Sequence, residues 1–292
     1  MSQSALVAGR AVPISIAVRS CGFGAEITGL NLSQPLATDT LAKVKQALAN
    51  HGVIWFPDQQ LNHSQLETFS SQFGRFGENP FVEALPDYPN IVEVRRNPKE
   101  KVVVFGGGWH SDWSFQPEPP SATILHAKVV PPIGGDTLFS DNVAAYEALS
   151  AGFRRFLDGL GGIHSASGPY GPEGYFSKEA GRTGMRIATS AIANKTHTHP
   201  ITTIHPVTGR RALFVSPGYT MAIENLNKTE SDAILGFLFQ HMTSDSFVHR
   251  HSWRSNMLVM WDNRSVLHCA EGGYDGYLRL MHRTVIAGQR PQ

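Results

Sequence analysis

The chain carries only two cysteines, Cys21 and Cys269, in 292 residues. Two thiols so far apart in sequence build neither a disulfide framework nor a thiolate zinc site. No apolar run approaches the ~18 residues a membrane helix needs, and residues 1–18 lack the apolar centre of an export signal. These absences point to a soluble cytoplasmic protein without a membrane partner. Charge is sparse as well: 17% of residues are charged and the formal net charge is +1. Lys and Arg are scattered, so the basic stripe of a nucleic-acid groove is missing and no nucleic-acid partner is expected. Linker-like Pro/Ser runs, low-complexity stretches and internal repeats are missing too. Residues 1–292 therefore read as one compact domain.

What is present suits a β-rich enzyme. Hydrophobic residues make up 41% of the chain, ample for a core, and the 28 glycines and 18 prolines fit a turn-rich β protein. Helices are expected over 39–50, closed by Gly52, over 62–76, and over 229–242, the last opened by Thr229 and Asp232 as a variant capping box. Short strands are expected at 25–32, 53–56, 90–95, 122–130, 202–205, 212–215, 256–261 and 278–287. This pattern gives an α+β, mainly β fold of sandwich or jelly-roll type with flanking helices.

Four local patterns carry chemistry. In Trp109-His110-Ser111-Asp112, a strand would turn His110 and Asp112 to the same face, able to share one metal ion, although the pair also fits an exposed strand edge. His268, distant in sequence, supplies a second imidazole or is simply a core histidine. Two histidines and one carboxylate leave three positions open on an octahedral Fe(II). In Arg279-Leu280-Met281-His282-Arg283, a strand would put both arginines on one face, each wanting an anion such as a carboxylate or sulfonate unless both are surface residues. In Gly134-Gly135-Asp136-Thr137, the Thr137 hydroxyl could donate to a carboxylate, or the segment is only a turn.

Taken together, and with segments such as HGVIWFPDQQL (51–61), GGDTLF (134–139), HPVTGRRALFVSPGYT (205–220) and WDNRSVLHCA (261–270), the sequence resembles the taurine dioxygenase (TauD/TfdA) family of Fe(II)/2-oxoglutarate dioxygenases. The resemblance runs over nearly the whole chain and implies a double-stranded β-helix (jelly roll) core. It also implies roles. His110, Asp112 and His268 would be the catalytic ligands of Fe(II). Thr137 and Arg279 would hold the far carboxylate of the co-substrate 2-oxoglutarate. Arg283 would bind the acidic group of a small anionic organic substrate, with Tyr219 as an aromatic wall. O2 would be the second co-substrate, succinate and CO2 would be released, and a homo-oligomer, dimer or tetramer, would be expected. Asp112 stands where halogenases of this superclass have a small residue, which favours hydroxylation or oxidative cleavage.

The chain departs from taurine enzymes around the substrate. Asn79-Pro80-Phe81-Val82 replaces their His-Pro-x-Tyr segment, and Gly106 replaces an Asn. A less polar substrate than taurine is therefore expected, such as an aryloxy- or alkyl-carboxylate, a sulfonate or a sulfate ester, with Trp113 and Phe115 near the pocket mouth. The 96–108 stretch reads as a mobile lid, Cys269 as core, and Asp262 and Asn263 as organisers of the turn before His268. The pairs His197/His199 and His249/His251 lack a matched carboxylate. Two rivals share the ligand set: a zinc hydrolase, and a non-catalytic ligand-binding protein on the same scaffold. The hydrolase gives no reason for the spacing of Thr137, Arg279 and Arg283.

Overall fold

A computed structural model describes residues 14–292; the part of the leader reading that falls on residues 1–13 lies outside the described residues. Strands β1 (Ser15–Val18) and β2 (Ala25–Thr28) form a hairpin, and α1 (Thr38–His51) leads back to β3 (Val53–Phe56), which pairs with β2 in parallel. Val44, Ala47 and Leu48 form the buried side of α1. Gly52 closes that helix at φ 70°, where a Cβ would stand 2.7 Å from the Phe23 ring, so only glycine fits. Helix α2 (His63–Ser71) opens on a reciprocal Asn62–Gln65 capping box. It is shorter than expected, because the chain turns after Gln72 and Phe76 bridges to Ile286.

The chain continues through β4 (Val92–Arg96), β5 (Ala122–Val129), β6 (Thr137–Asp141), α3 (Asn142–Ala148), α4 (Ala151–Leu157), β7 (Gly161–Ser165), α5 (Ser167–Tyr170), β8 (Thr196–Pro200), β9 (Thr202–Ile204), β10 (Arg211–Leu213) and β11 (Thr220–Ile223). Helix α6 (Lys228–Met242) follows, then β12 (Val248–His251), β13 (Leu258–Asp262), β14 (Val266–Ala270) and β15 (Arg279–Ile286). The cap of α6 is Asn227 with Glu230, not Thr229 with Asp232; Asp232 instead pairs with Lys228 one turn away. None of the described helices is long and apolar enough to cross a membrane.

The architecture follows from period-2 strands. A seven-stranded sheet runs in the order β1-β2-β3-β13-β5-β15-β4. Ile54, Phe56, Ile124, Leu258, Met260 and Ile286 point to one face and pack against Leu48, Leu66 and Phe69 of the helices. Alternate residues, among them Trp55, Leu125, Val259, Trp261 and Met281, point to the other face. There they meet Phe139 and Val266 of a second, three-stranded sheet, β12-β6-β14. A third apolar cluster joins α3 and α6 to Leu213, Ile223 and Leu267. The fold is mainly β with a few flanking helices. Each fully buried aliphatic or aromatic side chain contributes about 1.5–3 kcal/mol, so this scaffold does not depend on the polar residues at its mouth.

Candidate metal centre and substrate pocket

His110 and His268 are direct cross-strand neighbours. They form an isolated antiparallel bridge, with His110 N bonded to His268 O at 3.0 Å and the reverse bond at 2.8 Å. Their rings stand 4.1 Å apart between centroids. His110 therefore meets the metal-facing end of β14 as expected, but Asp112 does not follow on a strand. The chain turns at once, and Trp113 takes φ 48°. A bulky residue there costs on the order of 1–3 kcal/mol; its ring is 1% exposed and packs on Phe115 and Tyr170. That turn, not strand alternation, returns the Asp112 carboxylate to the two imidazoles. One ligand atom from each of His110, Asp112 and His268 lies within 4.8 Å of the others, and all three residues are buried.

The surroundings prepare these groups for a cation. The Nδ1–H of His110 donates to Gly108 O at 2.7 Å, which leaves Nε2 with its lone pair, 3.6 Å from Asp112 Oδ1. Burial, reinforced by His110, pulls His268 down to about 3, so the ring is neutral and can ligate. Burial also opposes the charge on Asp112, but the nearby Arg283 guanidinium leads the groups that outweigh it and hold this carboxyl well below the usual carboxylate range. Thr123 Oγ1 donates to Asp112 Oδ2 at 2.7 Å and itself accepts from Asn263 Nδ2 at 2.9 Å. Asn263 thus does more than shape the turn: it reaches the carboxylate through Thr123.

Two cations on β15 face the same interior. Arg279 is buried, with its Nε unpartnered and only a 3.5 Å contact from Nη2 to Gly135 O. Its guanidinium lies near the rings of Trp253 and Tyr274, and no carboxylate among the described residues pairs with it. Thr137 is buried at the start of β6, and its oxygen accepts from Trp253 Nε1 at 3.0 Å, so its own O–H remains free to donate. Gly134, at φ 65°, brings the backbone so close to Gly272 and Gly273 that a Cβ would lie 2.6 Å from Gly272 O. A buried guanidinium without an anion is costly. This cradle fits the distal carboxylate of 2-oxoglutarate, as the two imidazoles and ionised Asp112 fit Fe(II).

Arg283 sits nearer the metal centre. Its Nη1 reaches Asp112 Oδ1 at 3.4 Å, its Nη2 donates to Asn79 Oδ1 at 2.9 Å, and its Nε is buried and unpartnered. It borders a cavity of about 360 Å³ that His110 and Asp112 also line. The other walls are Phe105, Trp113, Tyr170, Phe176 and Tyr219, with Gly106, Gly107 and Gly108 at one side. Burial pushes the phenols of Tyr170 and Tyr219 up. A larger cleft near Arg264 and the C-terminal segment lies away from these groups.

Several expectations need correction. Trp113 is a buried wall of the pocket, not a residue at its mouth, and Phe115 supports Tyr219 from behind without lining the cavity. The 96–108 stretch is not a free lid. Glu100 Oε1 accepts from Thr183 N, Thr183 Oγ1 and Gly184 N at 2.7, 2.6 and 2.5 Å, and Arg182 Nη2 donates to Val103 O. Cys269 is half-buried beside Gly107 O instead of sitting in the core. The other histidine pairs hold no such cluster among the described residues: His199 bonds Gln116 O, and His249 and His251 pack on Trp55. Trp253, Thr123, Tyr170 and Phe176 escaped the sequence reading, since nothing in their local sequence marks them.

Two histidines and a carboxylate with one face open are the donor set of mononuclear non-haem iron enzymes. Residues 15–285 match the family described as taurine catabolism dioxygenase TauD, TfdA family, and the chain belongs to it. A Schizosaccharomyces pombe relative is 36% identical over 276 residues, which cover 91% of this chain and 66% of that protein. The chain thus spans just under two thirds of that relative's length. The alpha-ketoglutarate-dependent sulfate ester dioxygenase of Pseudomonas putida is 28% identical, covering 100% of this chain and 95% of that one. The alpha-ketoglutarate-dependent 2,4-dichlorophenoxyacetate dioxygenase of Cupriavidus pinatubonensis is 32% identical, covering 84% and 88%. Among solved structures, a taurine dioxygenase from Burkholderia xenovorans superposes with a TM-score of 0.79 at 31% identity, covering 95% of this chain and 90% of that one. AAD-2, solved with Mn(II) and N-oxalylglycine, gives a TM-score of 0.76 at 28% identity, covering 96% and 99%. Family membership brings Fe(II), 2-oxoglutarate and O2 as the cofactor and co-substrates.

Proposed function

We propose that the protein is an Fe(II)- and 2-oxoglutarate-dependent dioxygenase that oxidises a small organic monoanion with an apolar body, such as a sulfate ester, a sulfonate, or an aryloxy or alkyl carboxylate. In this reading His110, Asp112 and His268 hold the iron, Thr137 and Arg279 hold the far carboxylate of 2-oxoglutarate, and Arg283 takes the substrate's acidic group beside Tyr219. The observation that carries it is the pair of buried cations, Arg279 and Arg283, on one strand beside the ligand triad. Charge counting agrees. Arg279, Arg283 and Asp112 sum to +1, Fe(II) and the 2-oxoglutarate dianion cancel, and one monoanion brings the buried site to neutrality.

When bound, the iron and 2-oxoglutarate supply oxidation of a substrate C–H bond by O2, with succinate and CO2 as co-products. The chain's own contribution is positioning. Arg283 anchors one end of the substrate, and the aromatic walls exclude water and hold the apolar body. Asp112 stays ionised and the His268 ring stays neutral, so neither has to lose a proton at neutral pH. The likeness to the solved structures supports a double-stranded β-helix linking the two sheets, and we read the chain as a single catalytic domain, cytoplasmic and homo-oligomeric.

The test is anaerobic reconstitution with Fe(II) and 2-oxoglutarate, then a panel of anions scored by substrate-stimulated succinate release. Release with n-hexyl sulfate or a phenoxyalkanoate above that with taurine supports the reading. Turnover with zinc and without 2-oxoglutarate, or taurine as the best substrate, overturns it.

A further inference from the structure

The Arg283 guanidinium is not held by the metal centre alone. Asn79 Oδ1 accepts from Arg283 Nη2 at 2.9 Å and from Trp113 Nε1 at 3.3 Å. Both partners are donors only, so the orientation of the Asn79 amide is dictated: its carbonyl must face them and its NH2 must face away. The same guanidinium stacks 5.1 Å from the Trp113 ring and 5.6 Å from Phe105. Asn79, Arg283 and Trp113 thus form a closed triangle in which each member contacts the other two. Its backbone is pinned on both sides, by Gly77 N to Val285 O at 2.9 Å and by the bridge of Val82 to Ile187. With one N–H of Nη2 given to Asn79 and one of Nη1 turned to Asp112, each η nitrogen keeps a second N–H for a ligand, while Nε is buried.

We propose that Asn79 is a positioning residue that locks the anion-binding guanidinium and the indole wall into one unit, and so sets which substrate carbon is held at the metal centre. This rests on the reading of Arg283 as the substrate anchor. Without the Asn79 carbonyl, Nη2 is left without an acceptor, and Arg283 swings toward Asp112, its nearest anion. The substrate headgroup then has no fixed seat, while the 2-oxoglutarate cradle at Arg279 is untouched.

The test compares Asn79→Ala and Asn79→Asp with the wild-type holoenzyme, using n-hexyl sulfate as the probe. Asn79→Asp keeps an acceptor for both donors but adds a negative charge beside Arg283. Asn79→Ala is expected to raise KM for the probe about tenfold, to broaden the products to more than one oxidised position, and to release succinate in excess of probe consumed. Asn79→Asp is expected to hold a single product position but to raise KM further, since its charge repels the anion. KM for 2-oxoglutarate stays within twofold in both. A purely structural role predicts lowered Tm with an unchanged product pattern, and that result overturns the inference, as does an equal rise in KM for 2-oxoglutarate. Calorimetric binding of n-hexyl sulfate, read without turnover, separates the two levels. Wild type that binds but never releases succinate sinks the oxygenase reading and leaves Asn79 to be judged on affinity. Equal affinity in wild type and Asn79→Ala, or no binding by wild type, sinks the inference.

Discussion

Thr123, in the middle of the large sheet, donates its hydroxyl to Asp112 Oδ2 at 2.7 Å and ties the carboxylate of the ligand triad to the most buried part of the scaffold. A hydrogen bond to a buried charge is worth about 1.5–3 kcal/mol. Thr123→Val keeps the shape, removes that bond and leaves Asn263 Nδ2 unpartnered. The expected result is a 10–100-fold weaker Fe(II) affinity, the usual size of an outer-shell loss, with the fold retained. Fe(II) titration of the apo protein gives the answer, and an unchanged dissociation constant would refute the role.

Arg279 makes opposite contributions with and without its anion. Alone, it is a buried, unpaired cation and a burden on the fold; with the far carboxylate of 2-oxoglutarate it is a paired one. Arg279→Met should leave apo Tm unchanged or raise it, and should abolish the rise in Tm that 2-oxoglutarate gives the wild type in the presence of a redox-inert divalent metal. Thermal melts with and without the co-substrate measure both. A variant that still gains the wild-type increment would place the carboxylate elsewhere.

Glu100 clasps the two sides of the pocket mouth. Its one oxygen holds Thr183 and Gly184 on the segment that carries Tyr175 and Phe176, while its own segment leads into Phe105. Glu100→Ala should loosen those walls without reaching the metal ligands. Its kcat/KM for a bulky apolar anion should fall about tenfold, the equivalent of ~1.4 kcal/mol, while Fe(II) affinity holds. Steady-state kinetics with metal titration would show it, and a parallel loss of metal would contradict the assignment.

Acid sensitivity follows from histidines far from the metal. Burial lowers His126 and His249 to about 4, and His164 and His251 to about 3. Their ordinary value is 6.5, so the unfolded chain takes up protons below that pH while the folded chain does not, and stability falls with pH down to about 3–4. Asp262, lowered to about 2 mainly by Arg264 against the effect of burial, works on another range: its contribution is intact above 3.8 and is lost only below it. Apo Tm should therefore drop by roughly 10 °C or more between pH 7 and pH 5. A flat Tm across that interval would mean these rings are protonated in the fold.

The residues that carry charge were legible in the sequence because their identities and order are unusual together: His110, Asp112 and His268, then Arg279 and Arg283. So were strands that are short, continuous runs of mostly apolar residues, such as β3 and β5. What escaped was everything made by contact across long loops. The hydroxyl of Thr137 is oriented by Trp253, and Asp112 by Thr123 and Asn263, pairs that no local period connects. The turn at Trp113 was misread as strand because His-x-Asp has the right spacing, while the positive φ that overrides it leaves no mark on the residue type. The cap of α6 was misplaced by two residues, because Asn227 with Glu230 and Thr229 with Asp232 both satisfy the pattern.

Strand β15 carries both buried cations four positions apart, on a backbone hydrogen-bonded to β5 and β4 on either side. At ~3.3 Å per residue that separation is about 13 Å along the strand. On the proposed reading the strand is thus a ruler with an arginine at each graduation, fixing the interval between the seats of the co-substrate and the substrate. A one-residue slip of β15 would turn both arginines into the helix-covered face together, so neither acid can lose its seat through such an error while the other keeps its own.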